Sequence, residues 1–162
     1  MARWADVAKD EPGFAAEVQH AFDAFTHKTV ATLRADGSPR ISGTECKFLD
    51  GDLWFGSMPG AVKAKDLLRD PRFALHCGTG TASGADWRGD AKLAGRAVAI
   101  TDLGEKLAVF ESWGGELPDP GASYLFRADL SEVVMTGLNA ASDGLVIRVW
   151  QEGRGLRSLE RS

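Results

Sequence analysis

The sequence has few cysteines, no long apolar run and no surplus of positive charge, and each shortage closes off a class of protein. Only Cys46 and Cys77 are present, without CxxC spacing. A metal site is therefore not expected, and the two read as buried free thiols in a reducing compartment. No stretch approaches the ~20 apolar residues of a membrane helix. Met1 to Glu11 mixes acids and bases without a signal-peptide core, so the chain is expected to be cytoplasmic and off the membrane. Nineteen Lys and Arg against 23 Asp and Glu leave a net charge of −4, which speaks against a nucleic-acid partner. There is no Walker motif and no GxGxxG behind a strand, and the glycines of Gly78 to Gly84 precede no clear helix. No catalytic triad is visible, and His20, His27 and His76 read as structural or solvated.

What is present is ordinary globular material. At 162 residues, 44% apolar and 26% charged, the chain reads as one domain, 1–162. Phe14, Val18, Ala21, Phe22 and Phe25 recur at helical spacing and predict an N-terminal helix over about 11–26. From about 28 to 160 the pattern turns to strands. Thr29–Arg34, Arg40–Leu49 and Leu53–Ser57 are separated by Asp36-Gly37 and Asp50-Gly51 turns and predict a three-stranded meander. A helix over Ala61–Arg69 follows, stopped by Asp70-Pro71. Arg72–Cys77, Asp90–Thr101, Tyr124–Leu138 and Leu145–Gln151 read as strands, with one more possible at Gly155–Leu159. Gly78–Gly89 is a Gly/Thr/Ser loop, Leu103–Trp113 a helix, and Gly114–Gly121 a Pro/Gly-rich loop. Six to eight strands joined by tight turns suit an antiparallel barrel with peripheral helices better than a parallel βαβ fold.

One segment gathers groups with a chemical use. A strand ends at Ser57, a Pro-Gly turn follows, and a helix starts with Lys63 and Lys65. A hydroxyl, helix N-terminal amides and two ammonium groups are what an anionic phosphate needs. The alternative is two lysines on a solvated helix face. Trp54, Trp87, Trp113 and Trp150 are read as core or interface fillers, with Trp87 or Trp150 stacking on a planar cofactor as the sharper reading.

In this order the parts T-V-A-T-L-R-A-D-G-S-P-R, G-D-L-W-F-G-S, V-K-A-K-D-L-L-R-D-P-R and F-A-L-H resemble the FMN-binding split-barrel family, the proteins similar to pyridoxamine 5′-phosphate oxidase. The resemblance is closest over Thr29–Ile100. It implies a mainly β fold, a six-stranded antiparallel split barrel that works as a homodimer, with a flavin in the groove between subunits. Ser57 matches the small polar residue at the strand end, and Lys63 the phosphate-binding lysine. Val62 stands where an arginine is frequent, a loss that Lys65 would offset. Ser42, Gly43 and Thr44 match the strand whose backbone faces the ring edge. Toward the C-terminus, V-W-Q-E-G-R-G-L-R-S-L-E-R is similar to the oxidase tail. There Trp150 matches a tryptophan beside the other subunit's cofactor, and Arg157 and Arg161 match two arginines. Leu159 replaces the substrate-holding histidine, and Ser42 stands near where the oxidase has a substrate-gripping arginine, so pyridoxamine phosphate is not the expected substrate.

The function implied by this resemblance is an oxidoreductase using FMN, or alternatively the deazaflavin coenzyme F-420, to reduce a small organic acceptor. No side-chain acid or base is then required, because the cofactor carries the hydride chemistry. The alternative is a non-catalytic protein of the same fold that binds or stores flavin, haem or pyridoxal phosphate.

Overall fold

The computed structural model describes residues 1–114 and 119–162, so part of the Pro/Gly-rich stretch 114–121 lies outside the described residues. Two helices lead the chain, where one was expected. α1 (Trp4–Asp10) precedes α2 (Pro12–Asp23), and the break falls at Glu11, just before a proline suited to the first position of a new helix. α1 is pinned at both ends of its N-terminal turn. Ala2 and Leu130 exchange backbone hydrogen bonds of 3.0 and 2.7 Å, and the Arg3 guanidinium grips the buried Asp52 carboxylate, with Nε to Oδ1 at 2.6 Å. On α2 the buried face is Phe14, Val18 and Phe22. The helix ends before Phe25, which is 43% exposed and does not join that face.

Among the described residues nine antiparallel strands follow. They are β1 (Lys28–Leu33), β2 (Pro39–Thr44), β3 (Cys46–Leu49), β4 (Asp52–Ser57), β5 (Arg72–His76), β6 (Asp90–Ala99), β7 (Tyr124–Leu138), β8 (Leu145–Gln151) and β9 (Gly155–Arg161). α3 (Val62–Arg69) joins β4 to β5, and α4 (Leu103–Trp113) lies between β6 and β7. The neighbour order is β2-β1-β5-β6-β7-β4-β3, with β8 on β7 and β9 on β8. The mainly β, antiparallel split-barrel expectation therefore holds.

The three-stranded meander does not. The single stretch expected over Arg40–Leu49 is cut at Glu45 into β2, which pairs with β1, and β3, which pairs with β4. These two hairpins stand at opposite ends of the strand order. The cut also brings those ends together: the Thr44 hydroxyl donates to the Gly56 carbonyl at 3.4 Å, linking β2 to β4. Six strands, β2-β1-β5-β6-β7-β4, thus run in unbroken order between two touching ends.

The core fills the space between this sheet and the N-terminal helices. Phe22, Val30, Phe55, Leu75, Leu93, Phe126, Leu130 and Trp150 are all at or below 2% exposure. A smaller cluster of Trp54, Phe110 and Leu125 sits under α4. The long β6–β7 ladder slips register between Ala94 and Gly95. Gly95 is needed there, because a Cβ would stand 2.0 Å from the Asp129 carbonyl oxygen.

Candidate functional site

The sequence-derived site residues divide into two groups. One group meets at the corner where β2, the end of β4 and the start of α3 come together. The Met58–Ala61 turn after β4 closes with Ala61 N–H donating to the Met58 carbonyl at 3.2 Å, and Gly60 takes φ +77°, as Pro-Gly requires in such a turn. This delivers the chain directly into α3. No side chain caps that helix among the described residues, so its first turn has no side-chain acceptor for its N–H groups.

Lys63 bends from this first turn onto β2, where its ammonium donates to the Gly43 carbonyl. It is half-buried and has no carboxylate partner among the described residues. Burial pushes its pKa below the ordinary lysine range. β2 is the terminal strand of its ladder, so one edge keeps unpaired backbone groups. Along it, Ser42 is half-buried, Thr44 buried and Gly43 exposed. A Cβ on Gly43 would meet nothing within 4 Å, so the backbone is open to close approach at that point. Ser57, half-buried, is the last residue of β4 and pairs with Tyr124.

The corner is braced from behind by a buried carboxylate that the sequence did not reveal. Asp66 on α3 is 2% exposed. It accepts from Thr32 Oγ1 on β1 at 2.9 Å, Arg40 Nε on β2 at 2.6 Å and Arg69 Nη2 at 2.9 Å. Burial raises its pKa, but the hydrogen bonds from Arg40, Arg69 and Thr32 outweigh this and hold it below the usual aspartate value. Arg69 also reaches the Leu33 carbonyl at 2.7 Å. Helix α3 is thereby tied to β1 and to β2, the strand on which Lys63 leans.

The second group is not brought to this corner. Lys65 is exposed, and two positions along a helix from Lys63 it projects toward a different side, so the pair cannot act as one clamp. Trp150 lies on β8 between Val133 and Leu156, 2% exposed within the core, and its indole Nε1 has no acceptor among the described residues. Arg157 is exposed on β9, donating to Gln151 Oε1 at 2.7 Å. Val62 and Leu68 are more than half exposed, and the buried side of α3 is Ala64, Asp66 and Leu67. Of the other tryptophans, Trp54 is buried, Trp113 packs half-buried beside it, and Trp87 is half-buried at the end of the Gly-rich loop.

The corner suits a phosphate-bearing ring compound in three respects. It offers a desolvated cation with only a carbonyl for company, a helix N-terminus without a cap, and a strand edge whose glycine leaves room for a flat group.

The fold recurs in known structures. An FMN-binding, pyridoxamine 5′-phosphate oxidase-related protein from Nostoc punctiforme superposes with TM-score 0.66 at 14% identity, covering 100% of this chain and 98% of that one. PhzG from Burkholderia lata, solved with tetrahydrophenazine-1-carboxylic acid, gives 0.68 at 12% identity, covering 100% and 97%. An F-420 reductase gives 0.51 at 15% identity, covering 67% and 88%. Among curated proteins, none matches the chain by sequence. No helix of the described residues is long and apolar enough to cross a membrane. The family model described as pyridoxamine 5′-phosphate oxidase matches residues 14–136, from α2 through the β2–α3 corner to β7, and with more than half of its length so matched the chain belongs to that family.

Proposed function

We propose that the chain, acting over 1–162 as one unit, is a cytoplasmic flavin-dependent oxidoreductase that reduces a small organic acceptor with FMN or coenzyme F-420. The observation that carries this reading is Lys63: a half-buried ammonium at an uncapped helix start, unpaired by any carboxylate among the described residues. An arriving phosphate would restore the solvation that burial removes and add a charge-assisted hydrogen bond. Relatives of the fold described as FMN-binding and as an F-420 reductase support a flavin-type cofactor.

In this reading Lys63, Ser57 and the first-turn amides of α3 hold the phosphate. Ser42, Gly43 and Thr44 line the ring edge with backbone groups. When bound, the flavin supplies hydride transfer. The chain's own part is to bind, orient and keep the ring dry. Arg157, exposed on β9, serves the corner of a second copy, whereas Trp150, buried in the core of its own chain, supports the strand pair β8–β9 that carries it.

A homodimer is part of the same proposal. Ile41 on β2, Met58 in the turn and Val62 on α3 are 75%, 63% and 53% exposed, and all three border the corner. Apolar residues grouped in this way mark a surface that a partner covers.

The test is equilibrium titration of the purified protein with FMN and with F-420, followed by bleaching with NAD(P)H. Saturable binding of one cofactor is expected. Lys63→Ala should weaken it by about 1–3 kcal/mol. An unchanged dissociation constant in that variant removes Lys63 from the site. A bound flavin that neither NAD(P)H nor any acceptor turns over assigns the protein to storage rather than catalysis.

A further inference from the structure

A second cavity, of about 810 Å³, opens between α2 and the Gly78–Gly89 loop, away from the elements of the β2–α3 corner. Its walls are apolar and aromatic. Ala24, Phe25 and Trp87 line it together with the buried Cys77 and Met135. The Cys77 thiol is occupied in accepting from Ala91 N–H at 3.2 Å, and burial keeps it protonated, so the floor is neutral and polarisable.

Missing side chains at the two ends of the loop let it seat closely beside the cleft. At Gly78 a Cβ would stand 2.5 Å from Phe25 Cβ and 2.9 Å from the His27 carbonyl oxygen. At Gly89, where φ is +86°, a Cβ would stand 2.3 Å from the Thr136 carbonyl oxygen. Both ends of the loop are thus seated closely on neighbouring groups, and between them Gly80 rests on the Phe25 ring, where a Cβ would stand 3.0 Å from Cζ. A cleft of this volume, apolar with a few polar groups at its rim, has the character of a small-molecule site.

The rim groups indicate what the molecule carries. Arg88 has no carboxylate partner among the described residues, and Thr79 and His20 add further donors. Of the acids, Glu17 is engaged by Arg148, and Asp90 lies 3.7 Å from His76. The lining therefore joins hydrogen-bond donors to aromatic surface.

We propose that this cleft binds a flat molecule of two or three fused rings with hydrogen-bond-accepting oxygens at one edge, of the naphthoquinone type. Phe25 and Trp87 take the ring faces, and Arg88 with Thr79 takes the oxygens. The proposal concerns binding alone and stands apart from the flavin reading.

The probe is 2,3-dimethyl-1,4-naphthoquinone, whose substituted ring carbons do not alkylate Cys77, titrated calorimetrically into the full chain. Saturable one-to-one binding is expected. Ala24→Trp, which puts a ring into the cleft from an exposed position at the C-terminal cap of α2, should weaken it about tenfold or more, and Trp87→Ala about two- to tenfold. Both variants should keep the wild-type melting temperature and FMN affinity. No binding up to the solubility limit, or equal binding in wild type and both variants, overturns the proposal. An Ala24→Trp variant that splits an oligomer in light scattering also overturns it, since a second copy then occupies the cleft. Quinone binding with no flavin binding leaves the cleft assignment intact and removes the proposed function instead.

Discussion

Two concave regions of this chain are built on opposite principles. The β2–α3 corner is made by polar surplus: one buried carboxylate, Asp66, collects hydrogen bonds from β1, β2 and α3 and so fixes the helix that carries Lys63. The cleft between α2 and the Gly78–Gly89 loop is made by subtraction, its shape set by alanines and by glycines that let backbone approach backbone. The corner is oriented and electrically loaded. The cleft is accommodating and largely neutral.

The comparison breaks first at Asp66. Asp66→Ala should destabilise the fold by about 3 kcal/mol, measured by urea unfolding, because three donors lose their acceptor at once. A loss below about 0.5 kcal/mol would show that α3 is held by packing instead. The same carboxylate gives a pH dependence. Its folded pKa lies below the unfolded one, so its contribution is present at neutral pH and is lost as pH falls below about 4 through the folded value. Asp66→Asn should flatten that acid decline in a stability-against-pH series, and an unaltered slope would show other carboxylates to be responsible.

The cleft should respond to added atoms. Gly78→Ala is expected to cost about 1–2 kcal/mol and to loosen the loop, seen as faster amide exchange over 79–88, because its methyl meets Phe25 and a backbone carbonyl. If the variant is as stable as wild type, the loop is not seated on Phe25. Ile41→Glu should change stability little, by less than about 0.5 kcal/mol, yet convert a dimer to a monomer in light scattering. A dimer that survives it has its interface elsewhere. The smallest effect is expected for Arg157→Ala, which leaves stability within about 0.5 kcal/mol but weakens cofactor binding if the tail serves a second copy.

Much of this was legible in the residue order, and the exceptions share a cause. The strand runs, the β4–turn–α3 unit and the Lys63 position follow from local patterns: alternation, a Pro-Gly turn, an Asp-Pro stop. The cut at Glu45 was not legible, because Arg40–Leu49 is continuously extended and only the competing partners β1 and β4 divide it. Helix α1 was missed because Trp4 and Val7 are its only buried side chains in a charged stretch. Asp66 reads in sequence as one more surface acid of a Lys-rich helix. Its partners Thr32 and Arg40 lie 34 and 26 residues away, beyond any periodicity. Phe25 fitted the helical spacing of α2, but the helix ends two residues earlier and leaves it to the loop.

The most direct test of the corner as a flavin phosphate site compares FMN with riboflavin, which lacks the phosphate, in wild type and in Lys63→Ala. Wild type should bind FMN about tenfold or more tightly than riboflavin, and in Lys63→Ala that preference should largely disappear. Equal affinity for the two ligands in wild type, or a preference that persists undiminished without the Lys63 ammonium, would contradict it.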